Sequence, residues 1–330
     1  MVRSFLKWAG GKHGVASSIN EIITDSPPLG IDWRIRPGER YHEPFLGSGS
    51  MYFSLREMGI IKTKKDSFLS DINPILIRTM QVVRDENCVP QLLDRLRDLQ
   101  RKYPLDLPHP NPRGQQKSIR EERLFYRMRK KMNDLAPDIR SMDVEDSIEL
   151  SSLAIFLNKT CYNGLWRVNS SGEFNTPEGD YFQPKNIAQE DVLWSCQKML
   201  KKAKLECRDW EDSLNDADSG DLVYLDPPYM PLKIGREVFT NYFTSGFTIE
   251  DHKRLAYASV EAAKRGVRII SSNHDAEGNP NVREIYGNAA KKIGIPTPEV
   301  KSIDVTRTIN CKGHGRVKVT EVLIFLGKKI

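Results

Sequence analysis

An apolar run that two consecutive prolines end abruptly is the feature that most constrains the fold of this chain. Residues 222–225 read Leu-Val-Tyr-Leu and predict a buried strand, and the next residues are Asp226, Pro227, Pro228 and Tyr229. Neither proline can donate a backbone hydrogen bond, so the strand must stop there. A carboxylate is therefore left at the carboxyl end of a core strand, which is the edge of an open α/β sheet where ligands bind.

A glycine loop follows a predicted strand near the amino terminus. Residues 40–43 predict the end of a strand, residues 44–50 read Pro-Phe-Leu-Gly-Ser-Gly-Ser, and residues 51–58 have helical spacing. Gly47 and Gly49 lack a Cβ, so the backbone can approach a ligand closely at this turn. Taken alone, the loop is also consistent with tight packing between the strand and the helix.

Asp71 ends the next predicted strand, which covers residues 67–71. Its carboxylate can accept hydrogen bonds from two ribose hydroxyls, or it can cap the helix that begins near Pro74. A strand, a glycine loop, a helix and an acid-ended strand in this order form half of a nucleotide-binding βαβ unit. The loop lacks the complete G-x-G-x-x-G pattern, and prolines follow Asp226, so a dinucleotide oxidoreductase is the least favoured interpretation.

The remaining pattern predicts an α/β domain that is interrupted by a mostly helical insertion. The insertion is expected at residues 74–188, and residues 1–73 with 189–330 are expected to form the surrounding catalytic domain. The predicted elements of the insertion are helices within 75–103, 119–132 and 148–160, a proline-rich link over 103–116 and a β-hairpin over 162–177. Helices and strands alternate again after residue 188 and end in an antiparallel pair over 300–309 and 317–326.

The charge of the chain is mildly basic and locally clustered. The formal net charge is +6, and basic clusters lie at residues 127–131, 198–204 and 312–318. Such clusters are consistent with a solvated face or with a surface that contacts nucleic-acid phosphates. The sequence shows no stretch typical of a membrane span or a secretion signal, so we expect a cytoplasmic protein without membrane attachment.

The cysteines are scattered and odd in number, which predicts reduced structural thiols rather than disulfides or a metal centre. They are Cys88, Cys161, Cys196, Cys207 and Cys311. The histidines are equally dispersed and form no H-x-x-x-H pair, so no metal site is expected.

Together these pieces resemble the Dam-type (D12 class, alpha group) adenine-specific DNA methyltransferases, in which a cofactor motif, a target-recognition domain and a catalytic motif follow in that order. The resemblance covers essentially the whole chain. The matching segments are FLKWAGGK (5–12), EPFLGSGS (43–50), SDIN (70–73), YNGLWRVN (162–169), GEFNTP (172–177), VYLDPPYMPL (223–232), SNHD (272–275) and TRTINCKGHGRVKVTEVL (306–323). The resemblance implies a Rossmann-like, S-adenosylmethionine-dependent methyltransferase sheet with an antiparallel edge strand, and a site-specific enzyme that methylates adenine N6.

The resemblance also assigns the cofactor site and the catalytic motif to particular residues. S-adenosylmethionine would contact Trp8, Lys12, Phe45, Gly47, Gly49, Asp71 and Asp226. The catalytic residues would be Asp226, Pro227, Pro228 and Tyr229. Asp226 and the Pro227 carbonyl would accept hydrogen bonds from the target amine, which stabilises the positive charge that grows on nitrogen, and Tyr229 would stack on the adenine.

In the family, the hairpin contacts duplex DNA from which the target adenine is flipped. The matching DNA-binding residues are Tyr162, Asn163, Leu165, Arg167 and Pro177, of which Arg167 would read a guanine. The recognition sequence implied is GATC, although Gly179 and Asp180 stand where known members carry an arginine. We expect double-stranded DNA as the partner and a monomeric enzyme. The sequence leaves open whether a cognate restriction endonuclease completes a restriction-modification system.

Two further interpretations stay open at this point. An RNA adenine methyltransferase would share the catalytic motif, but the hairpin segment favours DNA. A non-catalytic DNA-binding relative would keep the fold, but it would not need Lys12, Asp71 and Asp226.

Overall fold

The structure of the protein is a computed structural model. It describes residues 3–8, 13–62, 67–103, 123–179, 186–229, 246–274, 281–307 and 317–328. Several features of the sequence lie outside the described residues, namely Lys12, Asp180, Cys311, nearly all of the proline-rich link and most of the basic cluster at 312–318.

The chain divides into two compact units. The first comprises Gly10–Ile72 and Lys202–Ile330, and the second comprises Val2–Ala9 and Asn73–Lys201. In chain order the helices are α1 (His13–Asp25), α2 (Ser50–Glu57), α3 (Pro74–Arg84), α4 (Val89–Lys102), α5 (Leu124–Leu135), α6 (Val144–Thr160), α7 (Glu190–Leu200), α8 (Trp210–Asn215), α9 (Ile249–Lys264) and α10 (Val282–Ile293). Among the residues that the structure describes, no helix is both long enough and apolar enough to cross a membrane.

The first unit contains a sheet whose strands are β1 (Tyr41–Glu43), β2 (Ser67–Asp71), β3 (Lys204–Cys207), β4 (Leu222–Leu225), β5 (Arg268–His274), β6 (Glu299–Arg307) and β7 (Val317–Leu326). The seven strands lie in the order β3-β2-β1-β4-β5-β7-β6. Strands β1 to β5 pair in parallel, whereas β7 pairs antiparallel with both β5 and β6. The predicted α/β class, with antiparallel strands at one edge of a methyltransferase-like sheet, is confirmed.

Strands β4 and β5 form the buried centre of this sheet. Every residue of both strands is buried, which explains why β4 is apolar throughout and lacks the alternation of a half-exposed strand. Helices α8, α9 and α10 pack into the same apolar core as β4, β5 and β7. This packing fixes the position of the carboxyl end of β4, and therefore the position of Asp226, which directly follows it.

Two helices of the first unit begin with a capping box. Thr248 caps α9, and the Asp251 carboxylate accepts from the Thr248 backbone N–H in return. Asn281 and Glu284 do the same for α10. The sequence analysis did not predict α10, although this N-x-x-E pattern ahead of an apolar run was the available signal.

In the second unit, α6 is the central helix. It is buried nearly all round and packs against α3, α4 and α5. The sequence predicted helical structure across residues 75–103, and the structure divides that span into α3 and α4. The division arises because Asp85 leaves α3 in an extended conformation, and Pro90 lies in the first turn of α4, where proline is tolerated.

The predicted hairpin over residues 162–177 is antiparallel but irregular. Isolated bridges join Cys161 to Glu178 and Val168 to Phe174, in place of a continuous ladder of strand pairs. Few backbone bonds therefore define the hairpin, and contacts with other elements of the second unit must hold its shape.

Candidate functional site

Three acidic side chains lie at the carboxyl edge of the parallel strands in the first unit. Glu43 ends β1, Asp71 ends β2, and Asp226 directly follows β4. These strands are neighbours in the sheet and run in the same direction, so their carboxyl ends open onto one edge. The carboxylates of Asp71 and Asp226 at this edge suit a ligand that carries positive charge.

The glycine loop is hydrogen-bonded to Asp71. The backbone N–H of Gly47 donates to Asp71 Oδ2 at 2.9 Å. Gly47 and Gly49 have φ values of +50° and +71°, and a Cβ on Gly49 would lie 3.1 Å from Phe53 Cε2. Asn73 caps α3, so the alternative prediction that Asp71 caps this helix is wrong.

Glu43 is a buried acid that the sequence analysis assigned to no role. It is 2% exposed and accepts a 2.7 Å hydrogen bond from the Tyr41 hydroxyl. Burial raises the pKa of Glu43 to about 8, and the charges of Asp226 and Asp71 act in the same direction. Glu43 is therefore protonated at neutral pH. An acid directly before a glycine loop was the signal in the sequence.

Asp226 is held by a hydroxyl pair from the centre of the sheet. Ser272 in β5 donates through Oγ to Asp226 Oδ1 at 2.9 Å. The same Ser272 oxygen lies 2.9 Å from the hydroxyl of Tyr224, which donates to it because the serine proton is engaged with the carboxylate. Burial raises the pKa of Tyr224 well above its usual range, which keeps this phenol a donor.

Tyr229 lies at the end of the proline turn and contacts the antiparallel part of the sheet. Its hydroxyl donates to Glu321 Oε2 in β7 at 2.8 Å. Its ring meets the ring of His274 edge-on, with centroids 4.5 Å apart and planes at 72°. Pro227 is buried, whereas Pro228 and Tyr229 are half-buried. The motif thus keeps its aspartate and its tyrosine partly accessible on a fixed turn.

Aromatic and aliphatic side chains border the acidic edge. Phe45 stacks on Trp210, with ring centroids 6.5 Å apart, and meets Phe247 edge-on at 5.9 Å. Ile72, which directly follows Asp71, is 50% exposed although it is a large apolar residue. An exposed apolar side chain next to a ribose-binding type of acid suits the flat face of a nucleobase. The sequence analysis assigned no role to Ile72, which directly follows β2, or to Trp210, which begins α8 shortly after β3.

Trp8 lies in the second unit and stacks on Trp166 of the hairpin, with ring centroids 6.1 Å apart. The residue before it is fixed by Asn158 of α6, which accepts from the Lys7 N–H and donates to the Lys7 carbonyl, both at 2.8 Å. Asn158 also donates to the Gly164 carbonyl at 3.3 Å. Sequence reasoning missed Asn158, whose signal was a single amide inside an apolar helix.

The hairpin begins with a tight turn whose residues were expected to meet DNA. Asn163 and Gly164 both have positive φ, +54° and +66°, which asparagine and glycine adopt most readily. A Cβ on Gly164 would lie 2.5 Å from Lys7 Cβ, so only glycine fits there. Tyr162 donates its N–H to the Pro177 carbonyl at 2.9 Å, which brings these two predicted residues together.

Helix α5 braces the far strand of the hairpin. Asn133 bonds both backbone groups of Phe174, donating to its carbonyl at 3.1 Å and accepting from its N–H at 3.0 Å. Arg129 donates to the carbonyls of Asn175 and Thr176 at 3.3 and 3.4 Å. Arg129 belongs to the basic cluster of the sequence, and its guanidinium therefore has a structural role in the hairpin.

A buried ion pair closes the hairpin. Arg123 donates two hydrogen bonds to the Glu178 carboxylate at 2.7 and 3.0 Å, and Tyr103 donates a third at 2.8 Å. The bond to Glu178 raises the pKa of Arg123. Because fork-shaped pairs of this kind fix geometry as well as charge, the chain directly after Pro177 is held rigidly.

Arg167 lies on the near strand of the hairpin, opposite Asn175. Its backbone N–H donates to the Thr176 hydroxyl at 3.2 Å, and its carbonyl accepts from the Asn175 N–H at 2.9 Å. Its side-chain Nε is buried and has no hydrogen-bond partner within the part of the chain that the structure describes. Arg167 as a whole is half-buried, and so is Leu165, two residues earlier.

Several lysines of the predicted basic clusters are already paired with acids. Lys130 contacts Asp134 at 2.7 Å, and Lys201 contacts Glu86 at 2.6 Å. Lys131 also pairs with Glu149. Surface pairs of this kind contribute little to stability, and they reduce the net positive field of the cluster.

Comparisons with known proteins place these features in one family. The sequence model of the "D12 class N6 adenine-specific DNA methyltransferase" family matches residues 8–301. The chain is 35% identical to "Type II methyltransferase M.MjaIII" of Methanocaldococcus jannaschii over 320 residues, which cover 96% of this chain and 95% of the relative.

Relatives named DNA adenine methylase match over a similar span. The chain is 30% identical to that of Serratia marcescens over 323 residues, covering 97% of each chain. It is 30% identical to that of Escherichia coli (strain K12) over 324 residues, covering 97% of this chain and 94% of the relative. With a family match across nearly the whole chain and an acid–proline–proline–tyrosine motif at the sheet edge, this chain belongs to the D12 class N6 adenine-specific DNA methyltransferases.

Proposed function

We propose that this enzyme transfers a methyl group from S-adenosylmethionine to N6 of an adenine that is flipped out of duplex DNA, within the sequence GATC. The observation that carries the proposal is the placement of Asp226. It follows the central strand β4 on a proline turn, and Ser272 fixes one of its oxygens at 2.9 Å. A carboxylate held in this way can accept a hydrogen bond from an amine without reorganising.

The residues of the first unit fit S-adenosylmethionine. Asp71 lies against the glycine loop, where a ribose can be bound, and Phe45 and Ile72 offer apolar surface for an adenine ring. The chemistry that the cofactor supplies when bound is an electrophilic methyl group on a positively charged sulfonium. Acids at the sheet edge suit that charge, and we assign Gly47, Gly49 and Asp226 to the same site.

The catalytic motif orients the target amine. Asp226 and the carbonyl of Pro227 accept the two N–H bonds of adenine N6, which turns the nitrogen lone pair away from the ring plane and toward the methyl donor. As a bond from the methyl carbon to N6 forms and the bond from that carbon to sulfur breaks, nitrogen would become positive and the fixed carboxylate would stabilise that charge. The extra proton on N6 would then leave to solvent. Tyr229 stacks on the adenine, and Pro228 keeps the turn rigid.

The hairpin of the second unit supports DNA recognition. Tyr162, Asn163 and Leu165 lie around a turn at Gly164 that the side-chain amide of Asn158 fixes by donating to the Gly164 carbonyl. Such a wedge suits insertion beside a flipped base. Arg167 lies on the same hairpin and is half-buried, and an arginine at this place can donate two hydrogen bonds to the O6 and N7 atoms of a guanine. Residues 74–188, which hold this hairpin and its bracing helix, are proposed as the target-recognition domain, with Pro177 as a further base contact.

A methylation assay tests the proposal. Purified enzyme is incubated with labelled S-adenosylmethionine and four substrates: a GATC duplex, the same duplex with the target adenine replaced, its single strand, and an RNA of the same sequence. Label should enter the GATC duplex, and sequencing of modified bases should locate it on N6 of the GATC adenine. Label in the RNA alone would show that the substrate has been misassigned, and methylation at another sequence would remove GATC.

Binding and assembly can be measured in parallel. DNA affinity should fall steeply between low and moderate salt, since phosphate contacts release counterions. We further propose a cytoplasmic monomer that needs no metal. A chelator should leave turnover unchanged, and light scattering of the enzyme should give the mass of one chain.

A further inference from the structure

We propose that Glu321 is a positioning residue, which holds the ring of Tyr229 in the orientation that stacks on the flipped base. The proposal rests on the proposed function, because it concerns the same site. It assigns a part of that site to β7, an antiparallel strand that the sequence motifs do not connect with catalysis.

The topology brings Glu321 to the catalytic edge. Strand β7 runs antiparallel to β5, so its amino end lies beside the carboxyl end of β5. Glu321 pairs in register with His274, the last residue of β5. Because β5 ends opposite Glu321, this acid in the middle of β7 lies at the edge at which the parallel strands end and the catalytic motif begins.

The contacts of Tyr229 restrain its ring at two places. The hydroxyl donates to Glu321 Oε2 at 2.8 Å, and the ring packs edge-on against His274 at 4.5 Å. A tyrosine on a turn can otherwise rotate about its first two side-chain torsions. A bond at the tip together with a contact at the side restricts both torsions, and the aromatic plane is then set before the base arrives.

Burial makes the hydrogen bond between the Tyr229 hydroxyl and Glu321 strong. Glu321 is 1% exposed, and a buried carboxylate requires donors to replace the water it has lost. A phenol hydroxyl donating to a carboxylate is a charge-assisted bond, about twice as strong as a bond between neutral groups. Glu321 therefore favours the one ring position in which this hydroxyl reaches it.

Three variants test the proposal through single-turnover methylation rates on a GATC duplex. Glu321→Leu removes the acceptor and should slow methyl transfer about tenfold, the effect of one lost charge-assisted bond. Glu321→Gln keeps an acceptor oxygen and should retain most of the wild-type rate. Tyr229→Phe removes the same bond from the other side, so Tyr229→Phe combined with Glu321→Leu should be no slower than Glu321→Leu alone.

A second readout reports the stacking directly. A duplex with 2-aminopurine at the target position is bound by wild type and by Glu321→Leu, and the emission of the flipped base is compared. Stacking on a fixed aromatic ring quenches that emission, so Glu321→Leu should give a brighter complex than wild type. Equal emission together with an unchanged methylation rate would overturn the positioning role.

A matched control separates positioning from stability. Glu39 also accepts a bond from a buried partner, Arg268, at 2.7 Å in the same unit, and neither residue contacts Tyr229 in the described structure. Glu39→Gln should lower the melting temperature without changing the emission. If Glu321→Leu only lowers the melting temperature, the proposal fails while the methyltransferase assignment stands. If wild type methylates no substrate, the proposed function itself fails.

Discussion

The acidic edge of the first unit and the hairpin of the second hold their functional groups in opposite ways. At the edge, the groups that act are acids, and small donors fix them, as Gly47 fixes Asp71 and Ser272 fixes Asp226. In the hairpin, the backbone is what is fixed, and the donors are side chains of helix α5, namely Asn133 and Arg129.

This contrast reflects the ligands that the two regions are proposed to meet. A positively charged methyl donor and an amine that becomes positive are matched by acids on rigid strand ends. DNA presents phosphates and base edges, which are matched by donors on a braced but exposed loop. The first region therefore depends on the local ends of strands, and the second depends on packing between distant segments.

The largest effect should come from the buried acid of the edge. The pKa of Glu43 is raised from 4.5 to about 8 by burial, so the folded chain holds a proton that the unfolded chain releases between these values. The resulting stability is fully present below pH 4.5 and is lost as the pH rises to about 8. From pH 5 to 8 the free energy of unfolding should fall by roughly 3 to 4 kcal/mol, because the slope approaches about 1.4 kcal/mol per pH unit only where the folded chain holds the proton and the unfolded chain has released it.

Glu43→Gln should remove this part of the pH dependence, because a glutamine does not titrate. Urea unfolding of wild type and variant at several pH values gives the comparison. Parallel stability curves from pH 5 to pH 8 would mean that Glu43 is ionised in the folded enzyme, and the edge would then contain one more negative charge than described.

The second effect concerns Asp226, the acid that we propose binds the target amine. Asp226→Ala should slow methyl transfer about a hundredfold, a loss of about 3 kcal/mol of transition-state stabilisation, while cofactor affinity stays close to that of wild type. Single-turnover rates and equilibrium titration measure the two quantities. Asp304→Ala, which removes an exposed acid from β6, is the control and should have no effect. Wild-type turnover in Asp226→Ala would contradict the proposed catalytic role of the acidic edge.

A substitution in the hairpin should change the discrimination between DNA sequences more than it changes the rate of methyl transfer. Arg167→Ala should reduce discrimination between GATC and a site lacking the contacted guanine about 5- to 150-fold, the value of 1–3 kcal/mol for a paired contact. Methylation of both duplexes by the variant is the measurement, with exposed Arg140→Ala as the control. A uniform loss on both duplexes would instead identify Arg167 as a phosphate contact.

The smallest effect on the methylation rate should come from Ser272, which holds Asp226 in position. Ser272→Ala removes the donor to Asp226 Oδ1 and should slow methyl transfer about five- to tenfold, as expected for one hydrogen bond. Ser259→Ala is the matched control, because Ser259 is equally buried and donates to the carbonyl of Leu255 in its own helix rather than to Asp226. Equal rates for the two variants would mean that Asp226 keeps its position without Ser272.

The same contrast explains what could be predicted from the sequence. The apolar strand and its prolines place Asp226 by local rules, and the glycine loop with Asp71 follows from the order of a βαβ unit. The structure adds partners that lie far away in the chain. Glu321 is 92 residues from Tyr229, and Asn133 is 41 residues from Phe174. No local pattern connects such pairs, because only the folded chain brings them together.

The order of strands in the sheet also determines when the sheet can form during synthesis. Strand β1 pairs with β2, which follows closely, but its other neighbour is β4, which begins only at Leu222. At about 5–20 residues per second, the ribosome needs roughly 10 to 40 s to supply that partner after β1 has been made. Throughout that interval β1 has one unpaired edge, which is a template for pairing with another chain. Nascent chains that stop before β4 are therefore the ones expected to aggregate, and the last strand added, β7, completes both the sheet and the contact of Glu321 with Tyr229.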